Sequence, residues 1–259
     1  MNQLLEQFGE SQVVGFLLVL ARLTPLFLFA PMLSSKMVPL RARAVVALAL
    51  AVGLSPLALA GQTAPTDPVA IAGLVGKELL VGLAFAFVIG ILFAALSVAG
   101  TIIDSIIGFS FGAMVDPITG NNGTVLSQTY ALMGVMIFIA INGDALLIAG
   151  FAKTFELVPL LETPALTPMV DGVITAFTGI FTAAIQICAP VLLALLLTDI
   201  AFGLVTKVVP TLNVFSLGLP TKVVVGIVVM GASLPFVGGY VEGELQTSVE
   251  AALRGLGVN

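Results

Sequence analysis

The sequence predicts an all-α, polytopic membrane protein of about six apolar helical segments, two of them overlong and kinked. Three observations carry that reading. The 259 residues are 59% hydrophobic and only 9% charged, whereas a soluble domain carries about 25% charged residues. Residues 79–103 and 172–198 are charge-free runs of 25 and 27 residues, and a bilayer span needs about 20. Proline, glycine and polar residues punctuate the apolar runs instead of forming a polar surface.

Taken in order, the first segment covers 13–31 and contains Arg22 and Pro25. The second covers 44–60. The third, 69–107, is overlong: as one helix, residues 70–107 measure about 57 Å against a hydrocarbon core of about 30 Å, and Lys77 and Glu78 interrupt it early. The fourth, 125–151, is weakened by Asn-Gly-Asp at 142–144. The fifth, 170–205, is again overlong, and the sixth covers 223–241. Pro190 and Pro235 are the expected kink points. In the tail, Leu245, Val249 and Leu253 recur every fourth residue, which suggests a short amphipathic helix.

Charge orients the segments. Lys36, Arg41 and Arg43 lie between segments one and two, and Lys207 and Lys222 between five and six. Residues 61–68 and 156–171 carry no Lys or Arg. The positive-inside tendency places the first group in the cytoplasm, giving three hairpins with both termini outward. Glu6 and Glu10 are the only charges before the first apolar run, which does not read as a cleaved signal peptide. With no His and one Cys, an intrachain disulfide and a His-based metal or acid–base site are excluded. Cys188 reads as a small core residue. A net charge of −5 argues against nucleic acid.

Four groups of residues stand out. The stretch GFSFGAMVDPITGNNG at 108–123 combines turn chemistry, Asp116-Pro117 and Asn-Asn-Gly, with Phe109, Phe111 and Met114. It is either a plain cytoplasmic turn or a loop closing a pathway, with Gly108 and Gly112 letting it move. Gly82, Ala86, Gly90 and Ala94 form a small-residue stripe that lets a helix approach closely. Arg22, Lys77, Glu78, Asp104 and Asp199 are charges within apolar segments, and structural pairing is favoured over an ion relay. Pro210 and Pro220 bound a stretch expected to be non-helical, a cytoplasmic turn held by Asn213, Phe215, Gly218 and Lys222. No catalytic motif is present, and neither a metal nor a cofactor is indicated. A loose echo relates the two halves: each overlong segment carries an aspartate near its end, Asp104 and Asp199.

Together these stretches resemble the FliR/SctT family of type III export-gate proteins, over nearly the whole chain and in order. The resemblance rests on RLTPLFLFAPMLSSKMVPLRARAVVALAL with Arg22 and Arg41, GKELLVGLAFAF with Glu78 and Gly82, AGTIIDSIIGFSFGAMVDPITG with Asp104 and Asp116-Pro117, and VPTLNVFSLGLPTK with Pro210, Asn213, Phe215, Gly218, Pro220 and Lys222. Thr211, Lys207 and Asp144 depart from the family's usual glutamine, arginine and histidine.

The resemblance implies one chain in a conical gate with FliP-like and FliQ-like subunits, contacted by FlhB-like and FlhA-like export proteins. It implies a site in the bacterial inner membrane at the flagellar basal body, in contact with lipid, passing unfolded flagellar proteins outward. Residues 1–168 would be FliP-like and 169–259 a FliQ-like hairpin with a tail. Gly108, Phe109, Phe111, Gly112, Met114, Asp116 and Pro117 would belong to the loop that plugs the closed pore. The overlong segments would sit partly above the bilayer plane. The alternative is a secondary transporter with discontinuous helices and a site at Asp104 and Asp199; a purely structural membrane scaffold is a third reading.

Overall fold

The computed structural model describes residues 10–30, 38–59, 64–108, 124–211 and 213–257, and among them every regular element is an α-helix. They are α1 (Glu10–Leu23), α2 (Leu26–Phe29), α3 (Leu40–Ala58), α4 (Pro68–Ile107), α5 (Val125–Ala140), α6 (Gly143–Leu157), α7 (Leu166–Val208), α8 (Val214–Ala232) and α9 (Leu234–Gly257). Among the described residues, four helical stretches are long and apolar enough to cross a membrane, or six when α5 with α6 and α8 with α9 each count as one broken span. The chain is an all-α membrane protein.

Local chemistry explains most boundaries. The first segment breaks at Thr24-Pro25, with Pro25 at the N-cap of α2. Asp67 Oδ2 accepts from the Ala70 amide at 3.1 Å, and Pro68 follows at the first helical position, where no amide hydrogen is needed. The fourth segment breaks at Asn142, which has a φ of 53°. Left-handed backbone of that kind favours asparagine and ends α5.

Two expectations about proline are corrected. The stretch between Pro210 and Pro220 is largely helical: α8 starts at Val214, and Pro220 lies inside it. Asn213 starts the helix, its side chain accepting from the Ser216 amide at 3.3 Å, and a proline removes only one N–H from the ladder. The break near Pro235 falls at Ser233 instead, so Pro235 lies in the first turn of α9, where proline is tolerated. Pro190 sits inside the continuous α7. The tail is also longer than expected, running without a break to Gly257 and burying Val241, Leu245, Val249, Ala252 and Leu256.

The chain divides into two units. The first comprises Met1–Ile91, Asn142–Phe177 and Leu245–Asn259. Here α1 lies against the end of α3, where the Leu59 side chain fills the space over Gly15. Gly90 lies against Phe29, and Gly150 makes room for Val249. Edge-on rings of Phe85, Phe151 and Phe155, with centroids 5.7 and 5.6 Å apart, fill the core.

The second unit comprises Leu92–Ile141 and Thr178–Glu244. There α4 and α5 run antiparallel: Gly100 meets Leu126 and Ser127, Leu96 meets Gly134, and Phe93 meets Phe138 edge-on at 5.6 Å. Ile187, Cys188, Val191 and Leu195 of α7 are fully buried.

Much apolar surface stays uncovered. Only Ala51 and Ala58 of α3 are buried. On α7, Phe181, Leu193, Leu197, Ile200 and Leu204 are each more than half exposed. Such surface is stable only against lipid or another protein.

The α4–α5 contact is testable. A Cβ on Gly100 would stand 2.5 Å from the Leu126 carbonyl oxygen, so Gly100→Ala is expected to cost about 1–3 kcal/mol through forced separation. Gly53 has open space around it, and Gly53→Ala should be neutral or stabilising by up to about 1 kcal/mol. Thermal midpoints of the purified variants check both.

Candidate functional site

Among the described residues, the largest fully buried side chain is a charge, Arg22, at the C-terminal end of α1. Its Nε donates to Glu78 Oε2 on α4, which is also fully buried. Its NH1 donates to the Thr154 carbonyl at 2.9 Å and to Thr154 Oγ1 at 3.3 Å, and its NH2 donates to the Val158 carbonyl at 2.7 Å. The guanidinium also lies over the Phe155 ring, 4.3 Å from its centroid. Arg22 thus binds the C-terminal end of α6 through the Thr154 carbonyl, which also accepts from the Val158 amide, and the Val158 carbonyl just beyond it.

Lys77 extends the cluster. Its Nζ donates to the carbonyls of Leu160 and Glu162 at 2.6 and 2.9 Å and reaches that of Pro159 at 3.4 Å. It also stands 2.7 Å from Glu78 Oε1, an ion-pair contact off the hydrogen-bonding angle. Two cations therefore share one carboxylate, and backbone carbonyls supply the remaining negative partners. Gly82, one turn beyond Glu78, permits this approach: any Cβ there would overlap the Arg22 carbonyl oxygen. Of the small-residue stripe, Gly82 and Gly90 face other parts of this chain, Ala86 is fully buried, and Ala94 is exposed.

In the second unit, Asp104 is fully buried, and its Oδ2 accepts from the Leu126 amide at 2.9 Å. Thr124 caps the same helix end, accepting from the Ser127 amide at 3.4 Å. A carboxylate at a helix N-terminus is favoured by the unpaired amides and the dipole. Asp104 Oδ1 has no hydrogen-bond partner among the described residues. Gly108 ends α4 with a φ of 99°, a backbone suited to glycine, and its amide donates to the Asp104 carbonyl at 2.9 Å. Phe109, Phe111, Gly112, Met114, Asp116 and Pro117 lie outside the described residues.

Asp199 is 44% exposed and pairs with Lys222, Oδ1 to Nζ 2.6 Å; that ammonium also reaches the Ile106 carbonyl at 3.4 Å. Pro210 lies in the turn before α8, Gly218 is buried within α8, and the Phe215 side chain lies outside the described residues. Among the described residues, no group of three or more His, Cys, Asp or Glu side chains is placed to hold a metal ion.

Asp104 and Asp199 look equivalent in sequence but differ in setting: one is a buried helix cap, the other half of an accessible ion pair. The backbone partners of Arg22 were not legible in the sequence, because carbonyls carry no residue signature.

The family model described as "Bacterial export proteins, family 1" matches residues 13–248. The chain belongs to this family. It is 29% identical over 223 residues to "Flagellar biosynthetic protein FliR" of Escherichia coli (strain K12), covering 86% of this chain and 85% of that protein. It is 30% identical over 235 residues to "Flagellar biosynthetic protein FliR" of Bacillus subtilis (strain 168), covering 89% and 88%. "Surface presentation of antigens protein SpaR" of Salmonella typhimurium is 27% identical over 222 residues, covering 85% and 81%. As a family 1 export protein, the chain is a membrane-spanning component of a bacterial export apparatus.

In this family 1 protein the two carboxylate–backbone and ion-pair contacts of the second unit should differ in weight. Asp104→Ala leaves the Leu126 amide buried and unpaired, and should cost about 1–3 kcal/mol. Asp104→Asn keeps an acceptor and should cost less. Lys222→Met breaks a partly exposed pair and should cost under about 1 kcal/mol. Unfolding midpoints of the detergent-solubilised protein rank the three.

Proposed function

We propose that this chain is a core export-gate subunit of the flagellar type III secretion system, helping to form and close the channel for unfolded flagellar proteins. The carrying observation is likeness along nearly the whole chain to proteins named FliR, at 29 and 30% identity. The flagellar branch is preferred on those two names; identity to the SpaR protein, at 27%, is too close to choose the branch by itself.

In this reading the chain is not an enzyme and needs no cofactor. It lies in the bacterial inner membrane at the flagellar basal body. Its partners are FliP-like and FliQ-like subunits, with FlhB-like and FlhA-like proteins on the cytoplasmic side. The uncovered apolar faces of α3 and α7 are the natural places for lipid and neighbouring subunits. The proposed division into a FliP-like part, 1–168, and a FliQ-like hairpin with tail, 169–259, falls just inside the start of α7.

The residues that plug the closed pore are assigned to 108–123. Phe109, Phe111 and Met114 exclude water and ions, while Gly108 and Gly112 let the seal yield to a passing chain. The charges support a gate over a solute carrier: Arg22, Glu78 and Lys77 bond to one another and to the backbone, Asp104 caps a helix and Asp199 is paired.

Co-expression with the FliP-like and FliQ-like proteins of its own genome should yield one large membrane complex containing a single copy of this chain. A stable monomer that ignores those partners would overturn the assignment. Within the complex, deleting 109–115 should raise ion leak across vesicles while leaving assembly intact. Unchanged leak would remove the plug assignment alone.

A further inference from the structure

The first unit contains an open groove of about 480 Å³, lined by Pro65, Ala70, Gly73, Leu74, Lys77, Leu161 and Thr163. The exposed Glu162 lies between the lining residues Leu161 and Thr163, and the exposed Asp67 between Pro65 and Ala70 in sequence, so charged groups flank this groove. Five carbonyls of the α6 end and its following turn accept from the Arg22 and Lys77 cations, and those of Thr154 and Pro159 accept from the Val158 and Glu162 amides as well. Polar backbone at such a place is satisfied either by protein or by water. Here Arg22, Glu78 and Thr154 are all fully buried, whereas Lys77, which lines the groove, is 12% exposed. From the groove inward the order is Lys77, Glu78, Arg22 and Thr154, each in contact with the next.

We propose that Lys77 is a stopper: its side chain and ammonium seal the groove against the buried Arg22–Glu78 pair and keep water and small cations out. Its ammonium is committed to Glu78 and to the carbonyls of Leu160 and Glu162. It therefore does not hold an anion in the groove. It ties the turn after α6 down over the charge pair, and its loss opens a hydrated path from the groove to Thr154.

The test is thiol accessibility in the full chain, in membranes and within its complex. Thr154→Cys places a thiol of similar size at the inner end of the path. The native Cys188 is buried, and the parent chain serves as the unlabelled control. A charged, water-soluble methanethiosulfonate is the probe.

With Lys77 present, the Thr154→Cys thiol should label only through rare local opening. Adding Lys77→Ala or Lys77→Met should speed labelling at least about ten-fold, because protection then no longer requires opening. Lys77→Arg should keep labelling slow. Gly73 has open space around it, so Gly73→Phe should fill the groove and slow labelling again in the Lys77→Met background. Fast labelling with Lys77 in place overturns the proposal, as does unchanged labelling without it. If Lys77→Ala does not assemble, the Lys77→Met and Lys77→Arg pair decides, since methionine keeps the packing stem.

Discussion

The bond between Arg22 and Glu78 is the constraint on which the first unit depends. An idealised ion of this size costs about 20 kcal/mol to move from water into a medium of low dielectric. It is tolerable only where nearly every donor is used. Arg22 meets that condition with groups from three places: a carboxylate on α4, carbonyls from α6 and just beyond it, and the face of Phe155. Satisfying one guanidinium therefore fixes α1, α4 and α6 relative to one another. Gly82 completes the arrangement, since only a missing side chain lets α4 come so close to the Arg22 backbone.

The second unit applies the same principle with the opposite sign. Asp104 sits on α4 one turn from Gly100, as Glu78 sits one turn from Gly82. The glycine admits the neighbouring backbone, and the carboxylate binds the Leu126 amide at the α5 N-terminus. Cationic side chains serve helix C-termini and a carboxylate serves an N-terminus, as the helix dipole requires. Charges in these spans thus act mainly as helix caps, and the chain turns apolar surface outward. A protein built this way supplies walls and contact faces, which suits a subunit of an export apparatus better than a carrier with its own solute site.

The fold was largely legible in the sequence. Long charge-free runs announced α4 and α7, and Asn142 marked the break in the fourth segment. Proline was over-read, because an Asn cap and a single lost amide bond let α8 run through Pro220. The tail was under-read. Its apolar spacing of four, four, three and four residues continues from Val241 to Leu256 and buries the helix on its own chain, but the acidic residues between hid that continuity. Structural pairing is the favoured sequence reading of the charges, yet which groups meet them is not legible there. Most of those groups are backbone atoms at helix ends, and they emerge only when the helices are placed.

The most direct measurement is a double-mutant cycle on Arg22 and Glu78, read as unfolding free energy of the solubilised chain. Glu78→Met should cost about 3–5 kcal/mol, because it takes the shared carboxylate from two cations, and Arg22→Met less, because Lys77 still stands beside Glu78. The double variant should cost much less than the sum of the two. Near-zero single costs, or costs that simply add, would contradict the claim that this buried pair holds the first unit together.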